Sequence, residues 1–543
     1  MRRLPAPLIL IAIFVVAVLL VDPRGNFPLD DDWGVGFTTF TLLQTGRVQF
    51  TPFASATAYL QFFWGALWAA SFGETFTVLR ISTLVLSLGS VLIAFSLLRR
   101  AGVRRELALF GAAALLFHPL FFWASFTSMT HVPFVFLSLV AAAMFVRAAE
   151  TAVPRGSSGS SEFLGEPLSP PRNSEALWLA LAFIATVASF FTRQFAVLNA
   201  LVPLLVALML RRKKLAATYA AALVVFGLLV VSGVLVGSQK ELVLHRPSLS
   251  GLALRASHYV YFNWQNASLF FAAPLSLLLL SRRRPQLSRA VLAISAIAFA
   301  LVAWRMTARV GMPIPYLNSG NVFTDFGLGP PTLRDVFTLR MPHPFALPWA
   351  VKVLLMIATT IGAAIALSLT IRTVREDDVL IRYCAVYLLC ATLVSAGMSI
   401  YFDRYSIDTT WPFVLLLVLL AQRAQITRAA TVAASVLLAI AIAFAIGGTA
   451  EYLAWNRARW DAYAFLRANG VTLEQMDGGY EINALLALRE GRKDLGKRGI
   501  GVIDDRYILT FNRDVPGYDL LRAFSYPRWF GLSEGAVHAQ RRR

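Results

Sequence analysis

The chain has 543 residues, of which 57% are hydrophobic and only 15% charged, with a mean hydropathy of +0.63. That balance excludes a soluble globular protein, which carries far more charge. The formal net charge of +20 does not point to nucleic acid either. Lys and Arg collect in short clusters between apolar runs, at Arg99-Arg100, Arg104-Arg105, Arg211-Arg212-Lys213-Lys214 and Arg282-Arg283-Arg284. This is the positive-inside pattern that orients membrane helices.

The first apolar run, Leu8 to Val21, follows Met1-Arg2-Arg3 and has no small-residue cleavage site behind it, so it reads as a retained signal anchor leaving the cytoplasm. Residues 22–76 then form a long first outer loop. It holds Pro28-Leu29-Asp30-Asp31-Asp32-Trp33 and an aromatic run from Tyr59 to Trp68, which reads as a helix lying on the membrane. Making that run a span would put Arg99-Arg100 outside and invert every later basic cluster. Further spans are expected near 77–98, 105–123, 131–147, 176–192, 195–210, 215–236, 257–280, 288–304, 348–371, 380–400, 410–422 and 428–447, about thirteen in all with the first. The inner loops of this topology carry roughly twice the Lys and Arg of the outer loops before the tail, as the rule requires.

The inner segment 148–175, with Gly156-Ser157-Ser158-Gly159 and Pro170-Pro171, reads as a flexible linker. The outer segment 305–347 is rich in Pro, Gly and Asn and reads as a structured lid. Past Gly447-Gly448 the composition turns soluble. An amphipathic helix from Trp455 to Ala468 ends at Asn469-Gly470, a second helix is expected near Ile482 to Glu490, and strand-like runs follow at 501–503 and Tyr507 to Thr510. The expected division is therefore a membrane domain over 1–447 and a small extracytoplasmic α/β domain over 448–543. Cys384 and Cys390 lie on one predicted helix, about 9 Å apart along its axis and too far for a disulfide.

The candidate chemistry gathers at the outer membrane surface. Three adjacent carboxylates there read either as caps for the following helix or as a general base or a cation or hydroxyl binder, and the residues alone leave these even. Arg193, in the turn Thr192-Arg193-Gln194, and Arg404, in Phe402-Asp403-Arg404-Tyr405-Ser406-Ile407-Asp408, sit at outer helix ends against the charge rule. One such Arg alone reads as a snorkelling anchor. Two in short turns beside aromatics favour an anion, most simply a lipid phosphate. His131 alone reads as a packing residue. His245 and His343 lie in outer loops without ligand spacing, so no metal site is read, and a divalent cation stays an open question.

Several stretches together resemble the GT-C superfamily of polytopic glycosyltransferases that use lipid-phosphate sugars, such as protein O-mannosyltransferases and lipid A aminoarabinose transferases. They are the acidic first loop with its interfacial helix, Leu79-Arg80-Ile81-Ser82, Ser128-Met129-Thr130-His131-Val132-Pro133-Phe134, Phe402-Asp403-Arg404-Tyr405, and the tail runs Ala454 to Trp460 and Asp477-Gly478-Gly479-Tyr480-Glu481. The resemblance implies a GT-C-like fold and puts the catalytic base or acceptor-orienting carboxylate on Asp31 or Asp32. It puts donor-phosphate binding on Arg404, Tyr405 and Arg193, and substrate contacts on His131 and Arg80. Many relatives carry an acidic residue where this chain has His131, which weakens a second carboxylate or a metal pair there. The implied partners are a polyprenyl-phosphate sugar, an envelope glycan, lipid or protein acceptor, and membrane lipids. The implied location is the bacterial inner membrane, with the N-terminus cytoplasmic. A polysaccharide polymerase or ligase is a near rival. A transporter or flippase would need mid-membrane charges or repeated halves, neither of which is evident.

Overall fold

The computed structural model describes residues 4–51, 58–151, 174–235, 249–282, 287–310, 322–324, 326–398, 401–489, 502–528 and 534–543. In chain order the helices are α1 Ala6–Val21, α2 Asp32–Thr45, α3 Tyr59–Phe72, α4 Phe76–Arg100, α5 Arg105–Leu116, α6 Pro119–Ser125, α7 His131–Thr151, α8 Ser174–Phe190, α9 Leu198–Met209 and α10 Lys213–Val231. Then come α11 Leu249–Phe270, α12 Ala272–Leu279, α13 Arg289–Val310, α14 Arg334–Phe337, α15 Trp349–Thr373, α16 Val379–Ala396, α17 Thr410–Arg423, α18 Arg428–Ala468 and α19 Tyr480–Arg489. Strands β1 Phe323–Thr324 and β2 Gly327–Leu328 make a small hairpin. Strands β3 Met476–Asp477, β4 Tyr507–Thr510, β5 Tyr518–Tyr526 and β6 Gly535–Arg542 make a sheet of order β3-β4-β6-β5.

This is a mostly helical polytopic membrane protein with a small C-terminal domain containing a sheet. Among the described residues, eight helices are long and apolar enough to cross a membrane, or nine if the bent pair α5–α6 counts as one span. That is fewer than the expected thirteen, for two physical reasons. Ala6–Val21, Glu175–Phe190 and Gln194–Met209 are apolar but short. Helix α11 has 22 residues but carries Arg255, His258, Asn263, Gln265 and Asn266, which dilute its hydropathy. The α5–α6 bend of 65° falls where Pro119 begins a new helix, since proline clashes with the preceding turn. The His118 ring accepts the freed Phe121 N–H.

Local signals set the helix ends. Thr75, Thr427 and Asp378 cap α4, α18 and α16 by accepting N–H groups of the first turn. Helix α18 does not stop at Gly447-Gly448. It runs unbroken for 41 residues, about 60 Å at the usual rise and twice the hydrocarbon thickness. Its second half therefore stands clear of the membrane, with Tyr452, Leu453, Ala458, Arg459 and Ala462 buried among the tail strands and the first loop. In the tail, Tyr507 to Thr510 is strand β4, but Val502 and Ile503 are not strand, and Gly501 lies outside the described residues. The β5–β6 hairpin was not anticipated.

The linker residues 152–173 and residues 311–321 of the expected lid lie outside the described residues. The described part of that segment is a brace between the membrane domain and the tail. Asp403 accepts the N–H groups of Val322 (3.1 Å) and Phe323 (2.7 Å). Arg334 pairs with Asp477 (3.2 Å) and Asp505 (2.8 Å), and Asp335 accepts the backbone N–H groups of Phe511 and Asn512.

Candidate functional site

The site begins where α2 begins. Asp31 occupies the N-cap position of α2, yet its side chain makes no capping hydrogen bond. Instead its carboxylate pairs with the Arg404 guanidinium and accepts the Tyr480 hydroxyl. The capping explanation of the acidic cluster therefore does not account for Asp31. Asp30 has a φ of +52°, the left-handed region that Asp tolerates better than most residues. That turn presents its carboxylate to the other terminal nitrogen of Arg404. Two carboxylates thus grip one guanidinium whose side chain is 8% exposed, fixing its fork.

Asp32 lies deeper and serves the backbone. One of its carboxylate oxygens accepts the Leu29 N–H and the other the Ser128 N–H at 3.3 Å, tying the first loop to the segment before α7. It is buried, and burial pushes its carboxyl up to about 7, opposed by Arg80 and by the two N–H groups. Arg80 is also structural in its contacts: it donates to the carbonyls of Pro23, Gly25 (3.3 Å) and Phe27 (3.0 Å) and lies over the Phe27 ring at 5.3 Å.

Facing Asp31 is a second anchored cation. Arg193 precedes a short 3-10 turn, Gln194–Val197, that leads into α9. Its Nε lies 3.6 Å from Asp408 Oδ2, and its Nη1 lies against the His131 ring, nearest Nδ1 and 3.0 Å from Nε2. His131 Nδ1 also lies 3.2 Å from Asp408 Oδ1. Arg193 thus joins the buried His131 and Asp408 in one cluster, with its guanidinium 5.4 Å above the Tyr405 ring.

Between the two clusters lies a cleft of about 140 Å³. Asp31, Arg193, Arg404, Tyr405 and His131 all line it, with Trp33 and Phe62 among the apolar wall residues. Asp32 and Arg80 do not line it, nor do the described residues of 305–347. Of the two candidate acids, only Asp31 can meet a ligand in the cleft; its side chain is 40% exposed. Among the described residues no group of three or more His, Cys, Asp or Glu side chains is placed to hold a metal ion.

Two contributors escaped the sequence. Asp408 sits in the run Phe402 to Asp408, which folds as a 3-10 helix over Asp403–Thr409, and its place in that run beside Arg404 is the one signal for it. Tyr480 reaches Asp31 across 449 residues of chain, and no local pattern announces such a contact.

No protein-family model and no curated protein matches the chain. Among solved structures it is similar to ArnT from Cupriavidus metallidurans in the apo state, at a TM-score of 0.37 and 12% identity over 98% of each chain. It is similar also to the same protein bound to undecaprenyl phosphate, at a TM-score of 0.34 and 12% identity over 98% of this chain and 97% of that one. At these scores the likeness carries no argument about activity, and the site is read from its own geometry.

Proposed function

We propose that the chain is an integral membrane glycosyltransferase that moves a sugar from a polyprenyl-phosphate donor to an envelope acceptor on the outer face of a bacterial inner membrane. The observation that carries this reading is the pairing, in one cleft, of a solvent-reachable carboxylate with two anchored arginines and a tyrosine. The cleft lies where the spans His131–Thr151 and Asp403–Arg423 begin, which suits a phosphate dissolved in the lipid surface. The sequence resemblance to GT-C enzymes points the same way.

In this mechanism the acceptor hydroxyl binds beside Asp31. Its oxygen attacks the anomeric carbon of the sugar as its proton passes to the carboxylate. The bond from the anomeric carbon to the phosphate oxygen breaks, and the lipid phosphate leaves with the electron pair. Arg193 and Arg404 are already held in place by Asp408 and by Asp30 and Asp31, so they meet that growing charge without reorganising. Asp31 also accepts from Arg404 and Tyr480, but a carboxylate has about four lone-pair positions, so room for the acceptor hydroxyl remains.

A nucleotide-sugar donor fits less well. The inner loops of the expected topology are short apart from the linker, and no glycine-rich phosphate loop follows a strand in them. Purified protein in detergent should transfer labelled sugar from a polyprenyl-phosphate donor to an envelope extract. Transfer from a nucleotide sugar and none from the lipid donor would overturn the proposal.

A further inference from the structure

The turn Asp477-Gly478-Gly479-Tyr480-Glu481 belongs to the extramembrane tail, yet two hydrogen bonds tie it to the first loop and two more tie it to Arg459 and Thr332. The Tyr480 hydroxyl donates to Asp31, the residue that faces the cleft. One residue on, Glu481 Oε1 accepts the backbone N–H of Asp30 at 3.2 Å. Its other oxygen accepts from Arg459 Nη1 (2.7 Å) and from the Thr332 hydroxyl (2.6 Å), and neither Arg459 nor Glu481 has any exposed side chain. A fully desolvated ion pair is a poor source of net stability and a strong constraint on geometry. Here it fixes the end of α19 against α18, and with it the height of the Tyr480 hydroxyl. The Tyr480 ring also meets Trp33 edge-on at 6.1 Å, so both its ring and its hydroxyl are held.

Desolvation and the neighbouring Asp31 carboxylate push Tyr480 well above the usual tyrosine value, so the phenol keeps its proton and is the donor. Tyr480 does not line the cleft. It stands behind Asp31, opposite Arg404, and the two donors engage different oxygens of the carboxylate.

We infer that Tyr480 is a positioning residue for Asp31, set in place by the buried Glu481–Arg459 pair, so that the C-terminal domain completes the active site. This rests on Asp31 being the base of the proposed transfer. Losing one of two restraints on the carboxylate lets it swing, which slows the chemical step and leaves donor binding alone.

The test uses the full chain in detergent. Tyr480→Phe keeps the ring and deletes only the hydroxyl. It should lower kcat about 10-fold, leave KM for the lipid donor and the thermal unfolding temperature unchanged, and raise hydrogen exchange in peptides spanning residues 29–37. Glu481→Gln, which breaks the ion pair but retains an acceptor, should show the same exchange change together with a lower unfolding temperature. Normal kcat in Tyr480→Phe, or a loss confined to KM, would overturn the inference while leaving the glycosyltransferase reading intact. If wild type transfers no sugar at all, that reading fails by itself. The exchange measurement still decides whether Tyr480 restrains the loop, since unchanged exchange overturns it.

Discussion

Three adjacent carboxylates make three different sets of contacts, and single substitutions should separate their roles. Asp31→Asn keeps the shape and removes the proposed base, so turnover should fall about 100-fold or more with the fold intact. Near-normal turnover would remove Asp31 from the mechanism. Asp32→Asn should act on stability instead. An amide presents N–H₂ where a carboxylate oxygen now accepts the Leu29 or Ser128 N–H, leaving a buried donor facing a donor. Asp32 also has a pH signature. Its folded value near 7 stands above the unfolded value near 3.8, so the folded state binds the proton more tightly. The stability this contributes is whole below pH 4 and is lost as pH rises through 7, on the order of 4 kcal/mol in total. The stability of wild type relative to Asp32→Asn should therefore fall over that window. A flat difference would mean that Asp32 does not titrate there. For the arginines, Lys is the informative change. Arg404→Ala would strand buried Asp30, whereas Arg404→Lys keeps a charge and loses the fork. KM for the lipid donor should rise several-fold in Arg404→Lys and in Arg193→Lys, and unchanged KM in both would leave them as helix anchors.

At the scale of elements, the tail turn and the segment leading to α14 meet through a close backbone approach that only glycine permits. Gly479 has a φ of +89°, and a Cβ there would lie 2.8 Å from the Thr332 carbonyl oxygen. Gly479→Ala therefore meets both a strained backbone and rigid backbone atoms, at a cost of about 1–3 kcal/mol. It should lower the unfolding temperature and turnover together, because the same turn carries Tyr480 and Glu481. Full activity in Gly479→Ala would show that the turn can shift without disturbing Asp31. What the sequence made legible follows from range. Apolar runs and basic clusters are local, so each expected span coincides with helix, even where the helix is too short or too polar to cross. Arg193 and Arg404 stand out as cations at outer helix ends and Asp31 as part of an acidic cluster, Tyr405 and His131 come in through the resemblance, and the fold brings all five to one cleft. Asp32 and Arg80 looked equally odd, but their partners are backbone groups of Leu29, Ser128, Pro23, Gly25 and Phe27, which no side-chain pattern reveals. The break expected at Gly447-Gly448 failed because two glycines inside strong flanking helix are tolerated when neighbours pack close. A Cβ on Gly448 would lie 3.0 Å from the Leu328 side chain.

Across the whole molecule, charge separates to the two ends of the helices. Helix α4 runs from the first loop at Phe76 to Arg99 and Arg100, and the polar contacts at that far end join many chain segments. Arg100 pairs with Glu150 at the end of α7, and Arg105 reaches the Leu4 carbonyl before α1. The Arg104 N–H meets Gln422 at the end of α17 (3.2 Å), and Arg423 pairs with Glu376 and Asp378 between α15 and α16. The cleft and the tail domain lie at the opposite end. Since Lys and Arg are retained on the cytoplasmic side, the basic end should face the cytoplasm and the cleft should face out. Cysteine labelling of whole cells tests this with little background, because Cys384 and Cys390 are both buried. Arg104→Cys, exposed at the basic end, should resist a membrane-impermeant thiol reagent until the cells are opened. Asp514→Cys, exposed in the tail domain, should label at once. The reverse pattern would turn the cleft toward the cytoplasm, where soluble nucleotide sugars are available, and the argument for a lipid-borne donor would lose its footing.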